Sequence, residues 1–339
     1  MSHFPLVSII TPTYNHENYI VDCIRSAQSQ TFTDWEMIIV DDGSTDNTFS
    51  LAKTCSKEDS RIKVFPQKNV GIFRLGETYN FAVSKATGKY IAVLEGDDVW
   101  LPEKLNLQVS AMEADNDIVL CYGNAYSSKS DLSSNYGLTD LASKQPIDVR
   151  ENNPIGSATK ILIFSNFIVA LTALIRRETL TTIGGFKQSH GLPLVDLTTW
   201  TELSLLGKFS FIPEPLGKWR FYPNQITKTY TAEISEGFYK FTLDFYDKNL
   251  NTFDTLDITK RNITVHFRKQ LVEAHSRSGR YKLMRKDFSG ARKNYLKSIF
   301  GYGLYGLLWR LRSLVGFIFS IFHMDIESFA KSLGKVSYK

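Results

Sequence analysis

Cysteine is scarce in this sequence of 339 residues, and its three copies, Cys23, Cys55 and Cys121, are scattered without a CxxC pair. An odd number of scattered cysteines argues against a disulfide framework and against a structural zinc site. This usage fits a reducing cytoplasm, and we expect the three thiols to be small, buried apolar side chains. The six histidines likewise show no spacing typical of metal ligands.

Long hydrophobic runs are also missing. The most apolar segment, residues 299–322, is interrupted by Arg310 and Arg312, and the run that follows is shorter than the ~20 residues that a membrane-spanning helix needs. Residues 1–5 lead directly into a strand pattern, so no secretory leader is expected. The sequence therefore predicts neither a spanning helix nor a leader.

Two glycine-rich nucleotide motifs are absent where they would be informative. No GxGxxG follows the first predicted strand, and no GxxxxGK[ST] occurs anywhere. A dinucleotide oxidoreductase and a P-loop enzyme are thus disfavoured, because both use such a loop to approach phosphate closely.

The sequence does contain a regular alternation of short apolar runs and helical patterns over its first 126 residues. Strands are predicted at 6–11, 36–42, 62–66, 90–98 and 118–126, and helices at 18–30, 46–57, 74–87 and 102–115. This alternation is typical of βαβ units. It predicts an α/β protein with a mainly parallel central sheet and flanking helices.

The remainder is less regular. We expect a long surface loop at 127–155, helices near 157–165 and at 195–207, a strand, turn and second strand at 208–221, and helices from about residue 232 onward. These patterns divide the chain into a domain of residues 1–228 and a helical region of residues 229–339.

Acidic residues follow two of the predicted strands. Asp41 and Asp42 end the second strand, and Glu95, Asp97 and Asp98 end the fourth. Ligands of open parallel sheets bind beyond these carboxyl ends, and crowded carboxylates repel one another unless a cation lies between them. Oxygen ligands of this kind favour Mg²⁺ or Mn²⁺, which also bind phosphate. The alternative is ordinary turn and capping chemistry after strands.

Three segments together resemble the family 2 glycosyltransferases with the GT-A fold. They are VSIITPTYNHENYI with SAQSQTFTDWEMIIVDDGSTDNT, then ATGKYIAVLEGDDVWLPEKLNLQ, then the looser IGGF, Asp196 and EPLGKWRFYPN series. The resemblance covers about residues 5–226. It implies a nucleotide-sugar half at about 1–126, an acceptor half at about 150–228, and the EGDD-type branch of the family.

Residue roles follow from this resemblance. Tyr14 and Asp42 match contacts to the nucleotide base, Asp97 lies nearer ribose or phosphate, Asp98 is the metal ligand, and Asp196 is the catalytic base. The resemblance further implies a divalent metal, Mg²⁺ or Mn²⁺, and a donor such as a UDP-sugar. A non-processive, inverting transfer to a hydroxyl of a glycan or polyprenyl-diphosphate-linked acceptor follows, as in cell-surface polysaccharide synthesis.

The sequence departs from the family pattern at several positions. Glu95 replaces the first aspartate of the metal motif, and Tyr79 stands where the family has an arginine, for which Arg74 is the candidate substitute in substrate binding. Val195 and Tyr222 replace an acidic residue and a histidine. The last two departures weaken the assignment of the base.

Other interpretations stay open at this point. Glu202 is the alternative base, and Asp196 would then only cap its helix. A nucleotide-sugar-binding relative without catalysis is the alternative function. A processive synthase is disfavoured because no QxxRW-like segment is present, and a nucleotidyltransferase because the basic, glycine-rich loop is missing.

The C-terminal region is strongly basic. From residue 258 onward the sequence contains 17 Lys and Arg and four Asp and Glu, a net charge of +13, whereas the net charge of residues 1–257 is −8. One interpretation is a helical cap with a solvated basic face. The other, favoured by the apolar segment LYGLLWRLRSLVGFIFSIF, is an interfacial helix on an anionic membrane. We therefore expect a cytoplasmic protein, peripheral on the inner face of the cytoplasmic membrane, with no nucleic-acid partner.

Overall fold

The computed structural model describes residues 4–222 and 225–324. The chain forms two compact units. The first comprises Met1–Gln188 and Leu194–Tyr222, and the second comprises Ser189–Pro193 and Pro223–Lys339. Pro223 and Asn224, at the end of the WRFYPN segment, and residues 325–339 of the basic region lie outside the described residues.

The first unit is built on nine strands in one sheet. The strands are β1 Val7–Thr13, β2 Trp35–Asp41, β3 Ile62–Pro66, β4 Tyr90–Val93, β5 Val99–Trp100, β6 Ile118–Lys129, β7 Asn135–Thr139, β8 Leu174–Arg176 and β9 Lys208–Phe221. Their spatial order is β3-β2-β1-β4-β8-β6-β9-β5, and β7 pairs with β6.

Eight α-helices accompany this sheet within the described part of the first unit. They are α1 Ile20–Gln28, α2 Thr48–Glu58, α3 Leu75–Lys85, α4 Lys104–Ala114, α5 Ile147–Arg150, α6 Thr159–Leu162, α7 Arg177–Thr182 and α8 Asp196–Leu203. The predicted α/β class is confirmed, since the first four strands and helices alternate as the sequence indicates.

Parallel pairing is confined to part of the sheet. β3, β2, β1 and β4 are parallel neighbours, as are β6 and β9, whereas β8 runs antiparallel to both β4 and β6. The parallel strands β1 and β2 are buried at every position, because helices cover both faces of such a sheet. This burial explains why they are near-continuous apolar runs.

Two elements differ from the sequence prediction. Residues 127–155 are not one long loop, because β6 continues to Lys129, β7 pairs with it antiparallel, and α5 follows. The sequence hides this hairpin because β7 is almost wholly exposed, so its residues show no apolar alternation.

The second difference concerns residues 208–221, which form one strand rather than two strands and a turn. β9 pairs with β6 throughout, but the register shifts where Gly123 faces Ile212 and Asn124 faces Pro215. Prolines have no N–H to donate, so they are tolerated at such a bulge. The side-chain amide of Asn124 donates to the Pro213 carbonyl at 2.8 Å and bridges the irregularity.

The second unit is helical over its described residues. Its helices are α9 Ile226–Thr229, α10 Thr231–Lys248, α11 Leu250–Thr255, α12 Lys260–Met284, α13 Phe288–Phe300 and α14 Leu307–Ile321. The predicted C-terminal helical region is therefore confirmed. Within the described part of the chain, we find no helix with the length and apolarity needed to cross a bilayer.

Candidate active site

The turn after β4 presents three carboxylates, from Glu95, Asp97 and Asp98. Gly96 makes this turn possible, because a Cβ at that position would lie 2.5 Å from Thr13 Oγ1. The backbone N–H of Gly96 donates to the Pro12 carbonyl at 3.1 Å. The carboxylate turn is thereby fixed against the end of β1.

Each carboxylate of the turn accepts a hydrogen bond from a different part of the first unit. Asp98 Oδ1 accepts the backbone N–H of Arg220 at 2.9 Å, and Asp97 Oδ2 accepts the hydroxyl of Tyr222 at 2.8 Å. Glu95 Oε1 accepts the hydroxyl of Tyr79 at 2.6 Å. Two of the residues at which the chain departs from the family pattern, Tyr79 and Tyr222, therefore donate directly to the carboxylate turn.

Two of the carboxylates, those of Asp98 and Glu95, have raised pKa values. Burial, followed by the charges of Asp97 and Glu95, raises the pKa of Asp98 well above its usual range. Burial and then the charge of Asp97 raise the pKa of Glu95 to about 8, although the Tyr79 hydroxyl opposes this shift. Neighbouring negative charges in a dry site favour protonation unless a cation is bound.

The donor set of this turn fits a hard divalent cation. Burial and the neighbouring carboxylates raise the pKa of Asp98 more than the charge of Arg220 lowers it, and the Arg220 guanidinium pairs with Asp22 at 2.9 Å. The described residues contain no group of three or more His, Cys, Asp or Glu side chains that could hold a metal ion. Mg²⁺ is commonly bound by one or two carboxylates together with substrate phosphates, and Asp98 offers such a carboxylate.

Asp196 lies on the same side of the first unit as the carboxylate turn. It is the first residue of α8, and its Oδ2 accepts the side-chain amide of Asn166 at 2.8 Å. Oδ1 is buried and accepts no hydrogen bond from the described residues. The charge of Asp196 contributes, after burial and nearer charges, to raising the pKa of both Tyr79 and Glu95, so Asp196 lies close enough to these two residues for its charge to act on them.

Burial raises the pKa of Asp196, whereas its neighbouring backbone amides and Asn166 lower it. A carboxylate with a raised pKa and a vacant, buried oxygen is a stronger proton acceptor than an ordinary surface aspartate. Glu202, the alternative base, lies in the last turn of α8. It is therefore at the opposite end of that helix from Asp196.

Asp42 lies at the end of β2 and organises the loop that follows β3. Its Oδ1 accepts the side-chain amide of Gln67 at 2.6 Å and the backbone N–H of Val70 at 2.9 Å, and its Oδ2 accepts the N–H of Gly71 at 3.2 Å. The amide of Gln67 also donates to Thr78 Oγ1 at 2.6 Å. These contacts hold the Asp42 carboxylate in a fixed orientation.

Tyr14 and Arg74 occupy more open positions near this loop. Tyr14 is 44% exposed just after β1, so its ring is accessible to a planar ligand. Arg74 is exposed and forms a bidentate ion pair with Glu77 at 2.6 Å. The charge of Asp42 also acts on Arg74, which places the two residues in the same neighbourhood.

Arg220 and Asn166 are the site residues that sequence reasoning missed. Arg220 is 1% exposed, and its guanidinium pairs with Asp22 at 2.9 Å and donates to the Ser130 carbonyl at 2.6 Å. Its backbone N–H thus reaches Asp98 from a firmly held strand. In the sequence, an arginine between two aromatic residues of the WRF segment was the available signal for Arg220. The sequence gave no signal for Asn166.

Comparison with known proteins assigns the family. The family model described as glycosyl transferase family 2 matches residues 8–174. The putative teichuronic acid biosynthesis glycosyltransferase TuaG of Bacillus subtilis is 32% identical over 226 residues, which cover 66% of this chain and 82% of TuaG. The chain belongs to glycosyl transferase family 2. The predicted family is thereby confirmed.

Other glycosyltransferases match over shorter regions. An uncharacterized glycosyltransferase of Rickettsia conorii is 40% identical over 110 residues, which are 32% of this chain but only 18% of that protein. The Escherichia coli protein WfgD, a UDP-Glc:alpha-D-GlcNAc-diphosphoundecaprenol beta-1,3-glucosyltransferase, is 40% identical over 119 residues, 35% of this chain and 45% of its own length.

Solved structures support the GT-A fold. The mannosyltransferase PcManGT of Pyrobaculum calidifontis, in complex with GDP-Man and Mn²⁺, superposes with a TM-score of 0.56 at 16% identity, over 95% of this chain and 87% of that one. Residues 1–349 of TarS from S. aureus, in complex with UDP-GlcNAc, also give 0.56, at 13% identity, over 98% and 93%. Such low identities establish the fold and nothing finer.

Proposed function

We propose that this family 2 protein is a non-processive, inverting glycosyltransferase that acts in polysaccharide synthesis. The observation that carries the proposal is the buried Asp196 carboxylate, whose Oδ1 accepts no hydrogen bond from the described residues and whose charge acts on Glu95 of the carboxylate turn. A binding protein without catalysis needs a nucleotide site, but it has no need for a buried, vacant carboxylate oxygen beside it.

The donor side of the reaction is assigned to the edge of the sheet formed by β1, β2 and β4. Tyr14 and Asp42 contact the nucleotide base, and Arg74 leaves Glu77 to approach the donor. Asp97 contacts ribose or phosphate, and Asp98 would hold Mg²⁺ or Mn²⁺. When bound there, the ion would offset the negative charge of the leaving diphosphate.

The acceptor side is assigned to Asp196. Its Oδ1 takes the proton of the acceptor hydroxyl while the oxygen forms a bond to the anomeric carbon. The bond from that carbon to the diphosphate breaks, and its electron pair leaves with the diphosphate. Attack from the face opposite the leaving group inverts the anomeric configuration. Asn166 keeps the Asp196 carboxylate oriented throughout.

The substrates are proposed from the relatives. WfgD is named for transfer of glucose from UDP-Glc to a diphosphoundecaprenol-linked sugar, and TuaG for teichuronic acid biosynthesis. These names favour a UDP-sugar donor and a glycan or polyprenyl-diphosphate-linked acceptor for this chain. The UDP-GlcNAc and GDP-Man complexes of the structural neighbours fit a donor of this chemical class.

The decisive test offers the purified full chain a panel of UDP- and GDP-sugars with Mg²⁺ or Mn²⁺ and a set of glycan and polyprenyl-diphosphate-linked acceptors. It measures release of the nucleoside diphosphate and calorimetric binding of the donor. We expect Asp196→Asn to bind the donor normally while its kcat falls by about 10²–10⁴. Asp98→Asn should lose the metal-dependent part of donor binding. Glu202→Gln is the matched control and should retain transfer.

Three outcomes contradict the proposal. Normal turnover in Asp196→Asn would remove that residue from the chemistry. Loss of turnover in Glu202→Gln alone would move the base to Glu202. Tight donor binding by the wild-type protein with no turnover on any acceptor would instead favour a nucleotide-sugar-binding relative.

A further inference from the structure

Helix α14 of the second unit buries a face of small residues and exposes a face of large apolar residues. Its buried residues are Ser313, Gly316 and Ser320. By contrast, its exposed large apolar residues include Leu308 at 74%, Leu311 at 51% and Ile318 at 46%. A surface helix of a globular protein normally shows the reverse pattern.

The small, polar face of α14 is well packed. Ser313 Oγ donates to Ser298 Oγ of α13 at 2.8 Å, and Ser298 Oγ donates to the Val272 carbonyl of α12 at the same distance. A Cβ on Gly316 would lie 2.3 Å from the Tyr295 ring, so only glycine permits this approach. The orientation of α14 is therefore fixed by specific contacts within the second unit.

The exposed residues of α14 form one continuous apolar strip. The strip comprises Leu307, Leu308, Leu311, Leu314, Val315, Ile318, Ile321 and Phe322. At 3.6 residues per turn these positions span about 140° of the helix circumference, with Arg310 and Arg312 on its two borders. Leu304, just before the helix, is 97% exposed and extends the strip.

A cationic groove adjoins the beginning of this strip. The groove has a volume of about 490 Å³ and is lined by residues that include Arg261, Arg268 and Tyr305. Both arginines are exposed and form no ion pair with the described residues. Since Tyr305 follows Leu304 directly, the positive charge and the apolar strip meet at residues 304–305.

Charge decides which partner covers the strip. Between residues 258 and 324 the sequence has 14 Lys and Arg against two acids. A second copy that docked through its own α14 would present the same excess of positive charge, and like charges disfavour association. An anionic lipid surface offers negative head groups to the cationic groove. Beneath them lie acyl chains, among which the apolar side chains of the strip can be buried.

We propose that α14 lies in the plane of an anionic membrane, with its apolar strip in the acyl region and the cationic groove against the head groups. The 15 residues of α14 are too few to cross a hydrocarbon core of ~30 Å, so the helix lies on the surface. This inference goes beyond the proposed transfer reaction and does not depend on it.

The test is vesicle sedimentation of the full chain. Vesicles contain either phosphatidylcholine alone or equal parts of phosphatidylcholine and phosphatidylglycerol. We expect the wild-type protein to sediment with the anionic vesicles, and added salt to weaken the binding. Leu311→Glu should lower the apparent affinity on the order of tenfold or more, because it places a charge in the apolar strip.

Leu250→Glu is the matched control, since Leu250 is 49% exposed on α11 and lies outside the strip. It should bind as the wild-type protein does. Arg261→Glu with Arg268→Glu should weaken binding to anionic vesicles selectively. Circular dichroism verifies that every variant is folded, and Leu308→Glu serves as a second strip variant if Leu311→Glu is not.

Three results would overturn the inference. The first is wild-type protein that stays in the supernatant with anionic vesicles, and the second is a Leu311→Glu variant that sediments as Leu250→Glu does. The third is a wild-type dimer in analytical ultracentrifugation that Leu311→Glu dissociates, without vesicle binding by either protein. That result would assign the strip to a second copy of the chain.

Discussion

Asn166 controls the basicity of Asp196 at the scale of a single hydrogen bond. Its amide donates to Oδ2 of Asp196 at 2.8 Å and thereby lowers a carboxyl pKa that burial raises. A base works only when deprotonated, so transfer should decline as the pH falls through the pKa of Asp196. Asn166 therefore keeps the base active at lower pH.

Asn166→Ala should shift the acidic limb of the kcat/KM profile to higher pH. The lost bond stabilises the charged form of Asp196, and bonds to charged groups contribute about 1.5–3 kcal/mol, which corresponds to at least about one pKa unit. The measurement is kcat/KM against pH. Asn106→Ala, which removes an exposed amide on α4, is the control. A uniform loss of activity with an unmoved acidic limb would refute this role.

The residues of the site differ in how far the sequence could reveal them. Asp42, Asp97 and Asp98 follow apolar strands, so their common edge was predictable. Their partners were not, because Tyr222 and Arg220 reach Asp97 and Asp98 across 125 and 122 residues of sequence. Such contacts depend on how β9 enters the sheet, which no local pattern specifies.

Elements were predictable where burial imposes a pattern. β1 and β2 are buried at every position, so apolar residues predominate in the middle of both strands, as in Ile9–Ile10 and Met37–Val40. β7 is exposed and carries no such requirement. β9 contains Pro213 and Pro215, which by their local preference predict a turn. In the structure, the long pairing of β9 with β6 continues past them with a β-bulge. Tertiary pairing thus overrides local preference in both errors.

Three helices of the second unit contact one another through the carboxylate of Glu236 on α10. His275 of α12 is 1% exposed, and its Nε2 lies 3.2 Å from Glu236 Oε1 of α10. Lys297 of α13 also binds Glu236, at 2.9 Å. These contacts, His275 first, lower the pKa of Glu236 to about 2 against the effect of burial. One carboxylate therefore connects three helices.

Glu236→Gln should lower the free energy of unfolding at neutral pH, by about 1 kcal/mol for this partly exposed group. A lowered folded-state pKa contributes stability above the unfolded pKa of roughly 4.3, and that contribution is lost as the pH falls toward 2. The difference between variant and wild type should consequently shrink over this window. Urea unfolding at a series of pH values measures it.

Glu273→Gln provides the control on the same helix α12. Glu273 forms an exposed pair with Arg277 one turn away, at 2.6 Å, and such pairs contribute little. Its stability should follow that of the wild type at every pH. An equal effect of the two substitutions would contradict the special role of Glu236.

At the scale of the whole molecule, the second unit includes a short segment from within the span of the first. Ser189–Pro193 belongs to the second unit, although the residues on both sides of it belong to the first. Leu192 in this segment is fully buried, and Gly237 of α10 allows its approach. The sequence prediction places a single boundary at residue 228, and a single boundary cannot describe a unit made of two separate segments.

Gly237→Ala should therefore destabilise the full chain. The new Cβ would lie 2.8 Å from both Cα and Cβ of Leu192, so backbone has to move, and overpacking of this kind costs about 1–3 kcal/mol. Alanine gains about 1 kcal/mol of helix propensity over glycine in α10, which offsets only part of that cost. Gly137→Ala, with no atom within 4 Å of its Cβ, should leave the urea midpoint unchanged. A stabilised Gly237→Ala variant would mean that Ser189–Pro193 does not pack on α10, and the second unit would then begin only after Tyr222.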